Sequence, residues 1–374
     1  MKALNIEICD VTLRDGEQTP GVSFTCSEKQ EIAGMLDAIG VEVIEAGFPI
    51  VSENERECVK AITRMGLDAR VCCLARARQE DIDAVLECDA DIASIFIATS
   101  DRHIRYKYHC SRQEVTERAL SMIDYARDHG LEVRFAAEDA SRTDTSILAD
   151  LYRAAAERGA LYSSFADTVG CMTPPEMYRV ISGLAEVVPN RICVHCHNDL
   201  GCATANTIMA AEAGAFQLHT TVNGIGERAG NASLEEVLTI LRLKYGIDRY
   251  DLSLLNRISE TVERISGLKV QKNKAIVGEN AFSHESGIHI AALLEDPLTY
   301  EYVPPEMVGG ERRFILGKHT GRHAIRHVTE KLGYELTPEE ITGVLHEVKR
   351  RSEGKCSITP EVLLSIIGAV RREA

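Results

Sequence analysis

Two histidines one residue apart, His195 and His197, lie at the end of a run, Arg191–Cys196, that reads as a β-strand. A strand has period two, so both imidazoles project to one side, a few ångströms apart. With a carboxylate from another strand they make a divalent-metal site, and without one they are a hydrogen-bonded pair in a polar pocket. Asp15 is the candidate carboxylate and Asn231 a candidate further oxygen. Mixed nitrogen and oxygen ligation with open water positions suits Zn²⁺, Mn²⁺ or Mg²⁺ acting as a Lewis acid. Arg14, beside Asp15, reads as an electrostatic partner for an oxyanion rather than as a surface ion pair. Cys193 and Cys196 spell C-x-x-C, but inside a strand they face opposite ways, so a redox role is not expected. The glycines of Gly224-Ile-Gly226…Gly230 are a weak phosphate-loop signal, since their spacing is not that of a dinucleotide fingerprint.

The elements that must position these groups alternate with regularity. Strand patterns fall at Leu4–Cys9, Val41–Glu45, Ala69–Leu74, Ile92–Ala98, Leu131–Ala137, Ala160–Phe165, Arg191–Cys196 and Phe216–Val222. Amphipathic stretches between them include Glu28–Ile39, Glu53–Met65, Gln79–Glu87, Gln113–His129 and Glu176–Val188. Ser27, Ser52 and Pro174-Pro175 mark helix starts. Eight β/α units over about 245 residues predict an α/β fold of the TIM (β/α)8 barrel type, and no glycine fingerprint supports an open dinucleotide-binding sheet. Ionisable or amide groups recur where strands end, which is the face on which such barrels carry their chemistry. The rhythm stops near Tyr245. Residues 1–250 are therefore expected to form the barrel, and residues 251–374 small C-terminal helical subdomains, with an irregular segment from Gly267 to Arg322.

The chain has 374 residues, with 42 Lys+Arg against 57 Asp+Glu and a formal charge of −15. An acidic chain without a basic stripe is a poor nucleic-acid binder. The sequence shows neither a membrane-length apolar run nor a signal-peptide pattern at its start, so a cytoplasmic location and no membrane partner are expected. The twelve cysteines then read as thiols rather than as a disulfide framework.

Five segments together resemble one family. Asp10-Val-Thr-Leu-Arg-Asp-Gly-Glu-Gln18, His195-Cys-His-Asn-Asp-Leu-Gly201, Gly224-Ile-Gly-Glu-Arg-Ala-Gly-Asn231, Ser283-His-Glu-Ser-Gly-Ile-His289 and Leu316-Gly-Lys-His-Thr-Gly-Arg322 are similar to the signatures of the Claisen-condensing acyltransferases: 2-isopropylmalate, citramalate and homocitrate synthases. The resemblance implies a barrel with helical subdomains in a homodimer that exchanges them, so that the C-terminal part reaches the partner's active site. It implies condensation of acetyl-CoA with a 2-oxo acid at a divalent metal held by Asp15, His195 and His197. Arg14 and Gln18 would bind substrate, Thr168 would hydrogen-bond its carboxylate, and Arg14 would also stabilise the developing alkoxide. His289 matches the family's catalytic histidine, assisted by Glu138 and Tyr300, with His284 a second candidate. Some citramalate-type members carry Asp two residues after that histidine; here it is Ala291, which leaves Glu285 or a partner-chain residue to orient the ring.

The acceptor is read from Arg134-Phe-Ala-Ala-Glu138. The even separation of Arg134 and Glu138 is expected to turn both side chains into the barrel mouth. An inward arginine calls for an anion, either the distal carboxylate of 2-oxoglutarate, as in the homocitrate synthases this segment resembles, or a barrel carboxylate such as Glu45. Thr99-Ser-Asp-Arg-His103…Lys107 looks more like 2-isopropylmalate synthase, although the C-terminal regulatory domain usual there is not expected in this sequence. The expected activity is thus condensation of acetyl-CoA with 2-oxoglutarate to homocitrate. A 2-isopropylmalate or citramalate synthase is the alternative, and a metal-dependent lyase or aldolase of the same superfamily a more remote one. A lyase would be expected to lack the Ser283–His289 segment.

Overall fold

The computed structural model describes residues 4–373. The chain divides into two compact units, Met1–Lys269 and Val270–Ala374.

The first unit is built on eight parallel strands: β1 (Glu7–Asp10), β2 (Val43–Gly47), β3 (Arg70–Arg76), β4 (Ile92–Ala98), β5 (Glu132–Glu138), β6 (Tyr162–Asp167), β7 (Arg191–Cys196) and β8 (Gln217–Thr220). They pair in sequence order and close into a barrel, β1 meeting β8 with Cys9 opposite His219. The intervening helices are α1 (Cys26–Ile39), α2 (Glu53–Thr63), α3 (Gln79–Leu86), the single turn α4 (Asp101–His103), α5 (Arg112–Asp128), α6 (Thr145–Glu157), α7 (Pro174–Val187), α8 (Ala203–Ala213) and α9 (Leu234–Tyr245). This is the expected TIM barrel. The strand-forming residues are buried on both faces, as a barrel wrapped by helices requires.

Local chemistry sets the helix starts. Ser52 caps α2 by accepting from Glu55 N at 3.1 Å, as expected. The cap of α1 is Thr25 rather than Ser27: Thr25 and Glu28 exchange bonds in a capping box, and Ser27 lies inside the helix. The end of the first unit also lies later than the expected boundary at 250. After a short 3₁₀ turn, Leu252–Leu254, α10 (Leu255–Ser266) packs on α1. It is tied to the barrel where Asn223 Nδ2 donates to Ser259 O at 2.9 Å, so the first unit runs to Lys269 and not to 250.

Cys26 and Cys58 form a disulfide between α1 and α2, which corrects the all-thiol reading. Both Cys193 and Cys196 are free and buried, as expected of a chance C-x-x-C. Beside the disulfide lies Lys29, fully buried on α1, whose ammonium meets Glu17 at 2.7 Å and Glu55 at 2.7 Å. Glu17 in turn accepts from Phe24 N and Glu55 from Phe48 N, so one lysine clamps the segment after β1 to the segment after β2.

The second unit pairs two short parallel strands, β9 (Ser283–His284) and β10 (Arg313–Phe314), with helices α11 (Gly287–Glu295), α12 (Arg322–Lys331), α13 (Pro338–Glu353) and α14 (Pro360–Glu373). Its own core joins Ile290, Leu316, Ile325, Val344 and Ile366. Helix α11 falls inside the segment expected to be irregular: it opens on Gly287 with no side-chain cap at Ser286, so no start signal marks it. No described helix is long and apolar enough to cross a membrane.

Replacing Lys29 with Met leaves two carboxylates facing each other without their cation. Breaking a buried pair from one side costs about 3 kcal/mol or more. The Lys29→Met protein is expected to unfold at a clearly lower urea midpoint than the wild type, and Glu17→Gln to cost less because Glu55 still pairs the lysine.

Candidate active site

Asp15 follows a tight turn after β1, where the amides of Arg14 and Asp15 both donate to Val11 O. His195 and His197 project from the end of β7, as strand parity requires, and their Nε2 atoms face each other at 3.2 Å. Asp15 Oδ2 lies 3.7 Å from His195 Nε2, and one donor atom from each of the three falls within 4.8 Å of the others. Asn231 is brought to them by an isolated bridge between its backbone and that of His197. Its Nδ2 donates to Asp15 Oδ2, while its Oδ1 is buried without a hydrogen-bond partner.

Burial, then the charge of His197, holds His195 well below the usual imidazole value, and burial also lowers His197. Burial pushes the Asp15 carboxyl up, but Arg14 first, then His195 and His197, bring it below the ordinary carboxylate range. Near neutral pH the group therefore offers two neutral imidazoles, one carboxylate and an unused amide oxygen. That donor set fits a divalent cation.

The glycines after β8 serve this arrangement. A Cβ on Gly226 would lie 2.1 Å from Asn231 Nδ2 and 3.1 Å from Asp15 Oδ2. One on Gly230 would lie 1.9 Å from Gly224 O. The loop folds on itself so that Asn231 can close on Asp15, a requirement of close approach that accounts for these glycines without phosphate.

A cavity of about 270 Å³ opens above the cluster, bordered by Arg14, Asp15, Gln18, Glu138, Thr168, His195 and His197. Arg14 donates through Nε to Glu45 at 2.5 Å and through Nη1 to Asp15 at 3.0 Å and Gln18 Oε1 at 3.2 Å. Thr168 Oγ1 accepts from Asp139 N at 2.8 Å, which leaves its own hydrogen to donate elsewhere. Both oxygens of Glu138 are held by Lys107 Nζ, at 2.8 and 2.7 Å. Arg228 ties the rim together, bonding both oxygens of Asp199 and, at 2.7 Å, Thr168 O.

Arg134 is not at the mouth. It points into the barrel, as its parity predicts, but sits one layer too deep to border the cavity and is 1% exposed. Its Nη2 meets Glu45, its Nε donates to Ser94 Oγ at 3.1 Å, and its Nη1 lies 2.8 Å from Gln217 Oε1 and 3.1 Å from His219 Nε2. Glu45, the alternative partner, is thus its anion. Parity assigns a face but not a depth, and here a strand residue two positions on, Ala136, forms the floor instead.

His284, His289 and Tyr300 belong to the second unit. The ring of His289 stacks on Tyr300 with centroids 3.9 Å apart. His284 Nε2 lies 3.3 Å from Glu301 Oε1 without hydrogen-bond alignment. Glu285 accepts from His319 N at 3.3 Å. Sequence reasoning missed His219, which borders the cavity, and the Glu138 partnership of Lys107; neither follows from strand periodicity alone.

A closed eight-stranded barrel with Asp, His, His and Arg at the C-terminal strand ends defines the class, and the chain belongs to the HMGL-like family, whose model matches residues 5–262. Residues 276–355 match the homocitrate synthase post-HMGL domain-like model. Homocitrate synthase AksA of Methanosarcina mazei is 54% identical over 374 residues, 100% of this chain and 92% of that one. A probable 2-isopropylmalate synthase of Methanopyrus kandleri is 52% identical over 92% of this chain and 69% of its own. A crystal structure of HMG-CoA lyase from Bacillus subtilis superposes with a TM-score of 0.66 at 22% identity, over 72% of this chain and 97% of that one, a likeness of fold.

Adding a methyl group at Gly226 must displace Asn231 or Asp15. Gly226→Ala is expected to weaken divalent-cation binding about 10–100-fold, the range seen for disturbed outer-shell partners. Titration calorimetry measures this directly, and an unchanged affinity would show that Asn231 and Asp15 need not approach each other for binding.

Proposed function

We propose that the chain is a homocitrate synthase: it condenses acetyl-CoA with 2-oxoglutarate and hydrolyses the thioester, giving homocitrate and CoA. The observation that carries this is the buried Asp15–His195–His197 group beside Arg14, in a chain 54% identical to a homocitrate synthase over its full length. The match of residues 276–355 covers the Ser283–His289 segment and favours a synthase over a lyase.

Asp15, His195 and His197, with Asn231 adding its free amide oxygen, would hold the divalent cation, which is Mg²⁺, Mn²⁺ or Zn²⁺. When bound it supplies Lewis acidity that polarises the acceptor's ketone. Arg14 is fixed by Glu45 and Asp15, so it meets the charge developing on the ketone oxygen without reorganising. Thr168, with its hydrogen available, and the Gln18 amide, whose oxygen already accepts from Arg14, bind the 2-oxo carboxylate. Arg134 serves the distal carboxylate as a charge beneath the floor, behind Ser94 and His219, and not as a direct ligand.

Carbon–carbon bond formation needs a base for the acetyl methyl proton. Glu138 is capped by Lys107 and Asp139 by Arg142, so the carboxylates at the end of β5 are committed to cations. His289, steadied by its stack on Tyr300, is the assigned base, with Glu138 assisting and His284 the second candidate. The protein acts as a cytoplasmic homodimer in which the second unit of each protomer serves its partner. Mixing inactive Arg14→Gln and His289→Ala chains then restores activity, because one mixed site carries both native groups.

Release of free thiol from acetyl-CoA tests the reading. 2-Oxoglutarate is expected to outrun 2-oxoisovalerate and pyruvate; chelation abolishes the rate and added divalent cation restores it. Arg14→Gln lowers kcat about 10²–10³-fold, as loss of an oxyanion donor does. Faster turnover of 2-oxoisovalerate would reassign the acceptor while leaving the family chemistry in place.

A further inference from the structure

The segment between β4 and α5 departs from regular helix. α4 passes directly into a π-helical turn, Ile104–Tyr108, which closes on His109 in the left-handed region at φ 52°. Such turns are rare and recur at functional sites. Here the turn is anchored at both ends without using Lys107. Ser100 Oγ accepts from His103 N at 3.2 Å and donates to Asp139 Oδ2. Tyr108 Oη accepts from Ala98 N at 3.2 Å, and Arg112 Nη1 donates to Thr99 O at 2.7 Å.

What the turn delivers is the Lys107 ammonium, placed on both oxygens of Glu138 although the lysine is 45% exposed. An ion pair that open to water adds little stability, and the backbone is held by other bonds. Its effect falls on Glu138, a carboxylate bordering the cavity and only 19% exposed. His103 is the other basic group near it, with Nδ1 3.5 Å away. An uncapped carboxylate there would repel any anion entering the cavity, and a doubly charged acceptor about twice as strongly as a singly charged one.

We propose that Lys107 is a positioning residue for the acceptor: by capping Glu138 it cancels that charge and makes the cavity accessible to a dianionic 2-oxo acid. This rests on the 2-oxo acid reading above. Lys107 touches Glu138, and it acts on the acceptor through that contact.

The test is a double-mutant cycle read by binding as well as turnover. With protein loaded with Mn²⁺ and no acetyl-CoA, titration calorimetry gives Kd for 2-oxoglutarate and for pyruvate. Lys107→Met is expected to weaken 2-oxoglutarate about tenfold or more and pyruvate markedly less, while Lys107→Arg stays near wild type. In a Glu138→Gln background, Lys107→Met should add nothing, since no carboxylate remains to cap. In turnover, Lys107→Met should raise KM for the 2-oxo acid and leave KM for acetyl-CoA in place. Equal losses in both backgrounds would mean that Lys107 contacts the acceptor itself, and no loss in either would mean that the cap is idle; each overturns the proposal. Wild-type thiol release separates this from the parent reading. If no 2-oxo acid supports release, both fall; if release is normal and the cycle shows no coupling, only the role of Lys107 falls.

Discussion

The site hangs on one carboxylate. Glu45, 1% exposed on β2, reaches Arg14 with one oxygen and Arg134 with the other, joining the mouth of the barrel to its interior. A buried guanidinium carries a desolvation penalty of several kcal/mol unless it is paired and its donors are satisfied. Arg134 meets both conditions through Glu45, Ser94, Gln217 and His219, and its guanidinium remains charged despite its burial. The same burial pushes the neighbouring Cys9 thiol up to about 12, so the cysteines lining this layer stay neutral and leave Glu45 as the counter-charge. With its carboxylate shared, Glu45 cannot fully neutralise either arginine. Asp15 supplies the second counter-charge to Arg14, so the two arginines and two carboxylates balance, and the positive charge that would gather anionic substrates has to come from a bound cation.

The fold was legible because a barrel strand declares itself by composition and its inward face by parity. Ile92–Ala98 and Arg191–Cys196 fall where the pattern places them, and His195 and His197 share a face for the reason given by period two. Asp15 could be paired with them because strand ends converge on one rim of a parallel barrel. Parity was silent about depth, and Arg134 was misplaced for that reason: layers are set by shear and side-chain length, which a single strand does not reveal. The disulfide of Cys26 with Cys58 depends on how α1 lies against α2, a tertiary relation, whereas the cap at Thr25 is a local Thr-x-x-Glu capping box that the choice of Ser27 overlooked. Helix α11 escaped because its first turn holds Ser286 and Gly287, residues that signal loops when nothing else is known.

The cations around the cavity are each held by an anion of the barrel. Arg14 has Glu45 and Asp15, Arg228 has Asp199, Arg142 has Asp139, and Lys107 has Glu138. Fixed in this way, the charges need not reorganise as negative charge moves during the reaction, the condition under which electrostatic stabilisation is most effective. The arrangement also explains why the glycines after β8 cannot carry side chains: the loop brings Asn231 to the Asp15 carboxylate, and a Cβ on Gly226 would occupy the same space.

Relatives bearing the names homocitrate, 2-isopropylmalate and citramalate synthase all lie near half identity to this chain. On the proposed reading, groups that handle the 2-oxo carboxylate and ketone do not distinguish such acceptors, because every 2-oxo acid would present the same two functions to Asp15, His195, His197 and Arg14. Selection would then have to come from the floor and wall, which Leu74, Ser94, Ala136, Ser164 and His219 line. An apolar pocket discriminates among aliphatic tails by only about 1–3 kcal/mol per methylene. On the proposed reading, Arg134 beneath the floor and Lys107 at the wall would offset carboxylates that repel a dianion, so acceptor choice would be an electrostatic property of residues that need not touch the substrate.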